Sequence, residues 1–382
     1  MSSRSAWTRT ARFVATICIL AVSLTYISCS SGGGDNGGGG ESTFVVQRRE
    51  SLVSLANNVI IPLFQTLIGD CEDLVTAAQA LHDGADASTL AAAQEAWRGA
   101  RDAWNPCEVF IIGEPLEDLL LARIDTAPIN PAFVELEVSG TDTIDEAYVE
   151  TMGSTRTGFH AIEYLLFDAE NGDAAVLESL TTGENASRRL DYVLAVSENL
   201  VTLARRILAA WTDEGGLEAD FESGITGIEK SRIDDLVNRA LEFLELVADQ
   251  RLGRPLGRTS FGLPQEPGAE SDESGYSRTD ILGDLHGIEL MYLGDADDAT
   301  VDGLSELVQT TSIEIDDEFR ELLQESIDLT EAIPETLADS GESSTATVEA
   351  AFLKIRELKR LVALDLAVAL SVTLRFSGFD GD

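Results

Sequence analysis

From Phe44 onward, apolar residues recur at helical intervals. Leu52, Leu55, Val59, Leu63, Leu67, Leu74, Ala78 and Leu81 fall three, four or seven residues apart, which lines one face of a helix with 3.6 residues per turn. The spacing predicts one long amphipathic helix, kinked at Pro62. After a polar turn at 83–87, Ser88 is the expected N-cap of a second helix. That helix carries Trp97, Arg101 and Trp104 on neighbouring turns of one face and stops near Pro106. Two tryptophans at this spacing read as core. Glu108 follows the break and precedes the apolar run Val-Phe-Ile-Ile. A carboxylate there needs a partner, for which a metal ion or His160 is the candidate.

Residues 113–157 are irregular, with prolines at 115, 128 and 131 and short helical pieces expected near 131–137 and 143–151. They lead to Gly158, which opens the apolar run GFHAIEYLLFD. His160 and Glu163, three residues apart, share one helix face and are close enough to bind a single ligand. Pairs at this spacing also serve as plain structural hydrogen bonds. Downstream, DLHGIELMYLGD repeats the arrangement with His286, Ile288 and Glu289, so two of the three histidines in the chain occupy matching positions.

The second half repeats the order of the first. Helices are predicted at 186–212, ended by Gly215 and Gly216, and at 228–252, with Ile233, Leu236, Val237, Leu241, Leu244 and Val247 as the buried stripe. A long loop rich in Gly and Pro, Gly253 to Gly275, then reaches the second His/Glu helix. Helices at 312–332 and 345–376 close the chain. From Leu361 to Leu374 the last one is apolar almost all round, which predicts burial between packed helices. Asp365, Ser371 and Thr373 argue against a membrane span there. No alternating strand pattern and no Gly-rich phosphate loop occurs. The expected fold is all-α, with two pseudo-repeated helical bundles, 44–184 and 185–382, packed together.

The first 43 residues read as address and tether. Arg4, Arg9 and Arg12 precede an uncharged, mostly apolar run from Phe13 to Ser28, shorter than the ~20 residues of a membrane helix. Residues 1–28 are therefore expected to be a secretory signal. Cys29 stands where a bacterial lipoprotein is cleaved and acylated, although Tyr26 replaces the usual leucine. The Gly-rich stretch within 29–43 is a flexible tether. Such a chain is expected in the cell envelope, lipid-anchored, facing the periplasm or the outer membrane.

The formal net charge is −42. A surface so acidic excludes nucleic-acid binding, repels anionic headgroups and draws cations. Cys71 and Cys107 remain in a compartment that permits disulfides. On an antiparallel hairpin they stand too far apart to pair unless the chain folds back at Pro106.

The pattern GxHxxE, here Gly158, His160 and Glu163, resembles the signature of the imelysin family of bacterial envelope proteins. Ala96 to Pro115 is similar to the family's Trp-containing helix and its Gly-Pro turn, and Ser277 to Gly294 to its second-half helix closing on Tyr-Leu-Gly. The resemblance covers about Phe44 to Phe376. It implies either a metallopeptidase or an envelope component of iron or haem acquisition. The residues bear on that choice. Neither HExxH nor HxxEH occurs, so the two zinc-binding histidines and general base of the common metalloproteases are missing. The preferred reading is a non-catalytic, metal-binding lipoprotein of iron uptake that works with an envelope partner. A metallopeptidase and a structural or adhesive lipoprotein are the alternatives.

On that reading His160, Glu163 and Glu108 bind a divalent or ferric ion, iron or zinc. Asp280, Asp284, His286 and Glu289 form a possible second-half site. There Asp284 replaces the motif glycine. A haem held between His160 and His286 is the remaining geometric option.

Overall fold

The first apolar stripe folds into a rod. Its parts are α1 (Thr43–Leu55), a π turn (Ala56–Ile60) and α2 (Ile61–Asp83). The kink expected at Pro62 is instead that π turn, which lies just ahead of the proline. Pro62 then sits in the first turn of α2, where a missing N–H costs least. This computed structural model describes residues 43–113, 115, 119–223, 227–258, 269–295, 301–334 and 342–375. The signal peptide, Cys29 and nearly all of the tether lie outside them, as does the centre of the long loop, 259–268.

α3 (Ala87–Trp104) starts from a capping box. The Asp86 carboxylate accepts from the backbone of Ser88 and Thr89, and the Thr89 hydroxyl accepts from the Asp86 backbone. Asp86, not Ser88, is therefore the N-cap. A 3-10 turn (Asn105–Phe110) breaks the chain at Pro106. Short helices α4 (Leu120–Ile124), α5 (Pro131–Ser139) and α6 (Glu146–Val149) cross the irregular segment to α7 (Gly158–Leu166), the motif helix.

Then come α8 (Asp173–Thr181), α9 (Ala186–Thr212), α10 (Leu217–Glu222) and α11 (Ile228–Glu245), which runs on as a π segment (Leu246–Leu252). α12 (Ser277–Leu293) is the second His/Glu helix, followed by α13 (Ser305–Gln309) and α14 (Ile313–Glu331). α15 (Glu342–Leu361) continues through a π turn (Val362–Leu366) to Ala369. Among the described residues there is no strand, and the fold is all-α.

Residues 41–382 form one compact unit. Within it α2 packs lengthwise against both α3 and α9, and α12 packs on the 3-10 turn and on α14. A single core runs through these contacts, with Trp97, Trp104 and Trp211 fully buried. Cys71 and Cys107 are buried in it as free thiols.

Two close approaches shape the centre. α12 reaches the 3-10 turn because Gly283 and Gly287 face it: a Cβ at Gly283 would stand 2.6 Å from Asn105 Cβ, and one at Gly287 2.8 Å from the Pro106 carbonyl oxygen. Gly158 has φ +78° with its α-carbon against the carbonyls of Arg123 and Ile124, so the motif begins on a residue that must be glycine.

The C-terminal stretch departs from expectation. Regular helix ends at Ala369, and from Leu361 to Leu374 only Leu361, Val362, Leu366, Ala367 and Leu370 are buried. Leu364, Val368 and Leu374 are exposed. α15 turns Val348, Phe352, Ile355 and Leu358 inward and leaves its other face, with Leu353, exposed.

Candidate metal centre

A buried polar cluster occupies the space between α3, α7, the π segment after α11 and the start of α12. Its centre is His160, 5% exposed. Nδ1 lies 2.8 Å from Glu163 Oε2. The other Glu163 oxygen accepts from the Ser274 backbone N–H and hydroxyl at 3.0 and 2.7 Å. Both oxygens of Glu163 are thus committed, and the residue orients the imidazole so that Nε2 points away from it.

Nε2 faces two further carboxylates, Asp125 Oδ1 at 2.9 Å and Glu270 Oε1 at 3.3 Å. The ligand atoms of Asp125, His160 and Glu270 all lie within 4.8 Å of one another. A transition metal about 2.1 Å from each ligand would hold neighbouring ligands ~3.0–3.4 Å apart. The spacings from His160 Nε2, 2.9 and 3.3 Å, lie close to that range, and the two carboxylates stand within 4.8 Å of each other.

Three arginines hold the cluster together. Arg101 reaches Asp125 at 2.9 Å, Glu270 at 3.2 Å and Asp280 at 3.0 Å. Arg251 meets Glu270 through Nε at 2.8 Å, Glu108 through Nη2 at 2.9 Å, and Asp284 through Nη1. Arg239 donates to the Glu108 carbonyl at 3.2 Å. Trp104 Nε1 donates to Asp125 Oδ2 at 2.7 Å, which fixes that carboxylate from behind. Five carboxyl groups, Glu108, Asp125, Glu270, Asp280 and Asp284, thus share the three guanidiniums, while Glu163 is held by His160 and Ser274.

Electrostatics divides the carboxyl groups. Burial alone would raise Asp125, but Arg101 and His160 hold it well below the usual range. Glu270 is drawn down to about 2, burial being outweighed by Arg251 and His160. Burial lifts Asp284 well above its usual value despite Arg251, with Glu108 adding to the rise. Glu108 is raised for the same reason. The two carboxylates facing His160 Nε2 thus stay ionised.

Burial would lower the imidazole pKa, but the facing carboxylates of Asp125, Glu163 and Glu270 raise it well above the ordinary value. A group with a raised folded pKa lends stability that is complete below its unfolded pKa of ~6.5 and is lost as pH climbs through the folded value. In the metal-free protein, the melting-temperature gap between wild type and His160→Gln is expected to be widest near pH 6 and to shrink steadily at alkaline pH. A gap independent of pH would mean that the imidazole is not charged in the fold.

The positions expected from sequence divide clearly. Gly158, His160 and Glu163 lie together in the cluster. Glu108, expected as a third ligand, sits against Arg251 and Arg239. Asp280 and Asp284 join through Arg101 and Arg251. His286 and Glu289 do not: they pair with each other at 3.1 Å on the outer face of α12, with His286 55% exposed. Both ring nitrogens of His160 are on carboxylates, and His286 stands outside the cluster, so the pair offers no common haem site. Asp125 and Glu270 were not among the sequence candidates.

A profile of the imelysin family matches residues 60–362. The chain belongs to the imelysin family. It is similar to the iron-regulated protein A of Synechococcus elongatus, 25% identical over 263 residues that cover 66% of this chain and 67% of that protein. Its fold is similar to the crystal structure of an imelysin-like protein from Psychrobacter arcticus, with TM-score 0.72 and 18% identity over 87% of this chain and 98% of that one. A protein from Parabacteroides distasonis, assigned as an iron-regulated protein A precursor, gives TM-score 0.66 and 20% identity over 85% and 97% of the two chains. In this imelysin-family chain the motif residues Gly158, His160 and Glu163 thus occupy the centre of the buried carboxylate cluster.

Proposed function

We propose that this protein binds one metal ion, iron foremost, through His160 Nε2, Asp125 and Glu270, and serves as a lipid-anchored, non-catalytic component of iron acquisition in the bacterial envelope. The observation that carries the reading is Asp125 Oδ1. This buried oxygen lies 2.9 Å from both His160 Nε2 and Arg101 Nη1 yet accepts no well-directed hydrogen bond. A metal ion makes no such directional demand on an oxygen. The His160 donor with two carboxylates suits iron and zinc. The names of two relatives, iron-regulated protein A, favour iron.

A cavity of about 450 Å³ adjoins Asp125 and Glu270 and is walled by Leu121, Pro128 and Leu246. It supplies a route by which an ion reaches the cluster. The anchor rests on residues 1–43, whose charge pattern, Cys29 and glycine run read as a lipoprotein signal and tether. Titration of the protein with ferrous, ferric, zinc and cupric ions tests the reading. One tight site per chain is expected, above weak salt-sensitive background from the acidic surface. Background alone would overturn it.

A further inference from the structure

We propose that the outer face of α15 docks on an anionic phospholipid surface. Leu353, Arg356, Arg360, Leu364 and Val368 follow one another at three- or four-residue steps and form one stripe along the helix. Every member is exposed, Leu353 by 51%, Leu364 by 55% and Val368 by 75%. In a chain with 68 acidic and 26 basic residues, the stretch from Leu353 to Val368 reverses the balance, with Lys354, Arg356, Lys359 and Arg360 against two carboxylates, Glu357 and Asp365.

The cations differ in what holds them. Lys354 pairs with Glu325 and Glu357, and Lys359 with Glu245. Arg356 lies over the Phe352 ring at 5.4 Å. Arg360 makes no ion pair among the described residues. Two guanidiniums are therefore presented outward between three large apolar side chains, the combination that seats a helix at the headgroup boundary.

The start of the fold lies beside this stripe. Arg48 of α1 donates from Nη2 to the Leu370 carbonyl at 2.5 Å, two residues beyond Val368. Thr43 precedes Arg48 by five residues, ~7.5 Å of helix. The segment that carries Cys29 therefore joins the fold near the end of the stripe. This siting rests on the anchoring reading above; the composition and exposure of the stripe do not. The acidic remainder of the surface is screened within ~8 Å at physiological salt, so contact is decided by the patch that touches.

Quenching by brominated phospholipid tests the proposal. Trp97, Trp104 and Trp211 are fully buried, and with the fourth tryptophan, Trp7 of the expected signal, replaced by phenylalanine throughout, tryptophan introduced by Val368→Trp reports from the stripe against the same chain without it as baseline. The full-length variant, mixed with excess brominated vesicles, is expected to lose more than half of its added emission when they contain phosphatidylglycerol. With phosphatidylcholine alone it loses little, and adding Arg356→Glu and Arg360→Glu removes the effect. Co-flotation of the wild-type chain with phosphatidylcholine vesicles, which the stripe is not expected to bind, reports separately on the anchor.

A protein that fails to float on phosphatidylcholine yet is quenched on phosphatidylglycerol loses the anchor and keeps the docking face. One that floats with unquenched emission refutes the docking face. If the added emission is already shielded without vesicles and the protein sediments at twice its mass, the stripe is a contact between copies and the proposal falls.

Discussion

Replacing His160 by alanine is expected to abolish stoichiometric metal binding. The imidazole supplies the nitrogen donor, and its loss leaves Asp125 and Glu270 to Arg101 and Arg251, which already contact them. Glu163→Gln is the informative partner. Glu163 touches Nδ1 and not the ligand set, and loss of an orienting group of this kind costs roughly 10–100-fold in affinity. Isothermal titration with ferrous or zinc ion should therefore rank wild type above Glu163→Gln, with His160→Ala showing only the diffuse background. Equal losses for the two would make Glu163 a ligand. No loss in either would remove the metal from this cluster.

Arg251→Met should be the most damaging single change to stability, at about 3–5 kcal/mol by denaturant titration, because it leaves buried carboxylates without their counter-charge. Glu108, Asp284 and Glu270 each meet a different nitrogen of this one guanidinium. Arg251→Lys should recover little, since an ammonium is a point charge and cannot fork among three carboxylates. Partial recovery is expected from adding Glu270→Gln, which removes the partner that the fold keeps ionised. A double mutant no more stable than Arg251→Met would show that packing, and not charge, dominates at this position.

Helical periodicity was enough to reveal the all-α fold, because long apolar stripes leave a helix no ambiguity about which face is buried. The motif helix was legible for the same reason: a polar pair inside an apolar run stands out. Arg101 carried a signal that could have been pressed further. A guanidinium on the same face as Trp97 and Trp104 must be buried with them, and a buried arginine demands carboxylates.

Asp125 and Glu270 had no such frame. Asp125 is the C-terminal cap of the five-residue helix α4, and Glu270 lies in the turn before α12. Neither lies in a periodic pattern, and in a chain so rich in acidic residues a single aspartate in a loop carries no mark. The apolar character of Leu361 to Leu374 misled in the opposite direction. Hydropathy registers which residues are greasy, and it cannot tell a face turned inward from one turned outward.

The π segment at Leu246–Leu252 has a consequence for how relatives of this chain should be compared. A π turn is an α-helix with one residue too many, and each residue of helix turns the chain by about 100°. Arg251 lies within that segment. Its aim at the carboxylates is thus set by a single-residue insertion and not by the helix that precedes it. Relatives without the insertion would present a different side chain to the cluster from an apparently aligned position. Matching them by sequence alone, without a one-residue gap in this turn, would pair Arg251 with a residue that points elsewhere and hide the charge that holds the centre together.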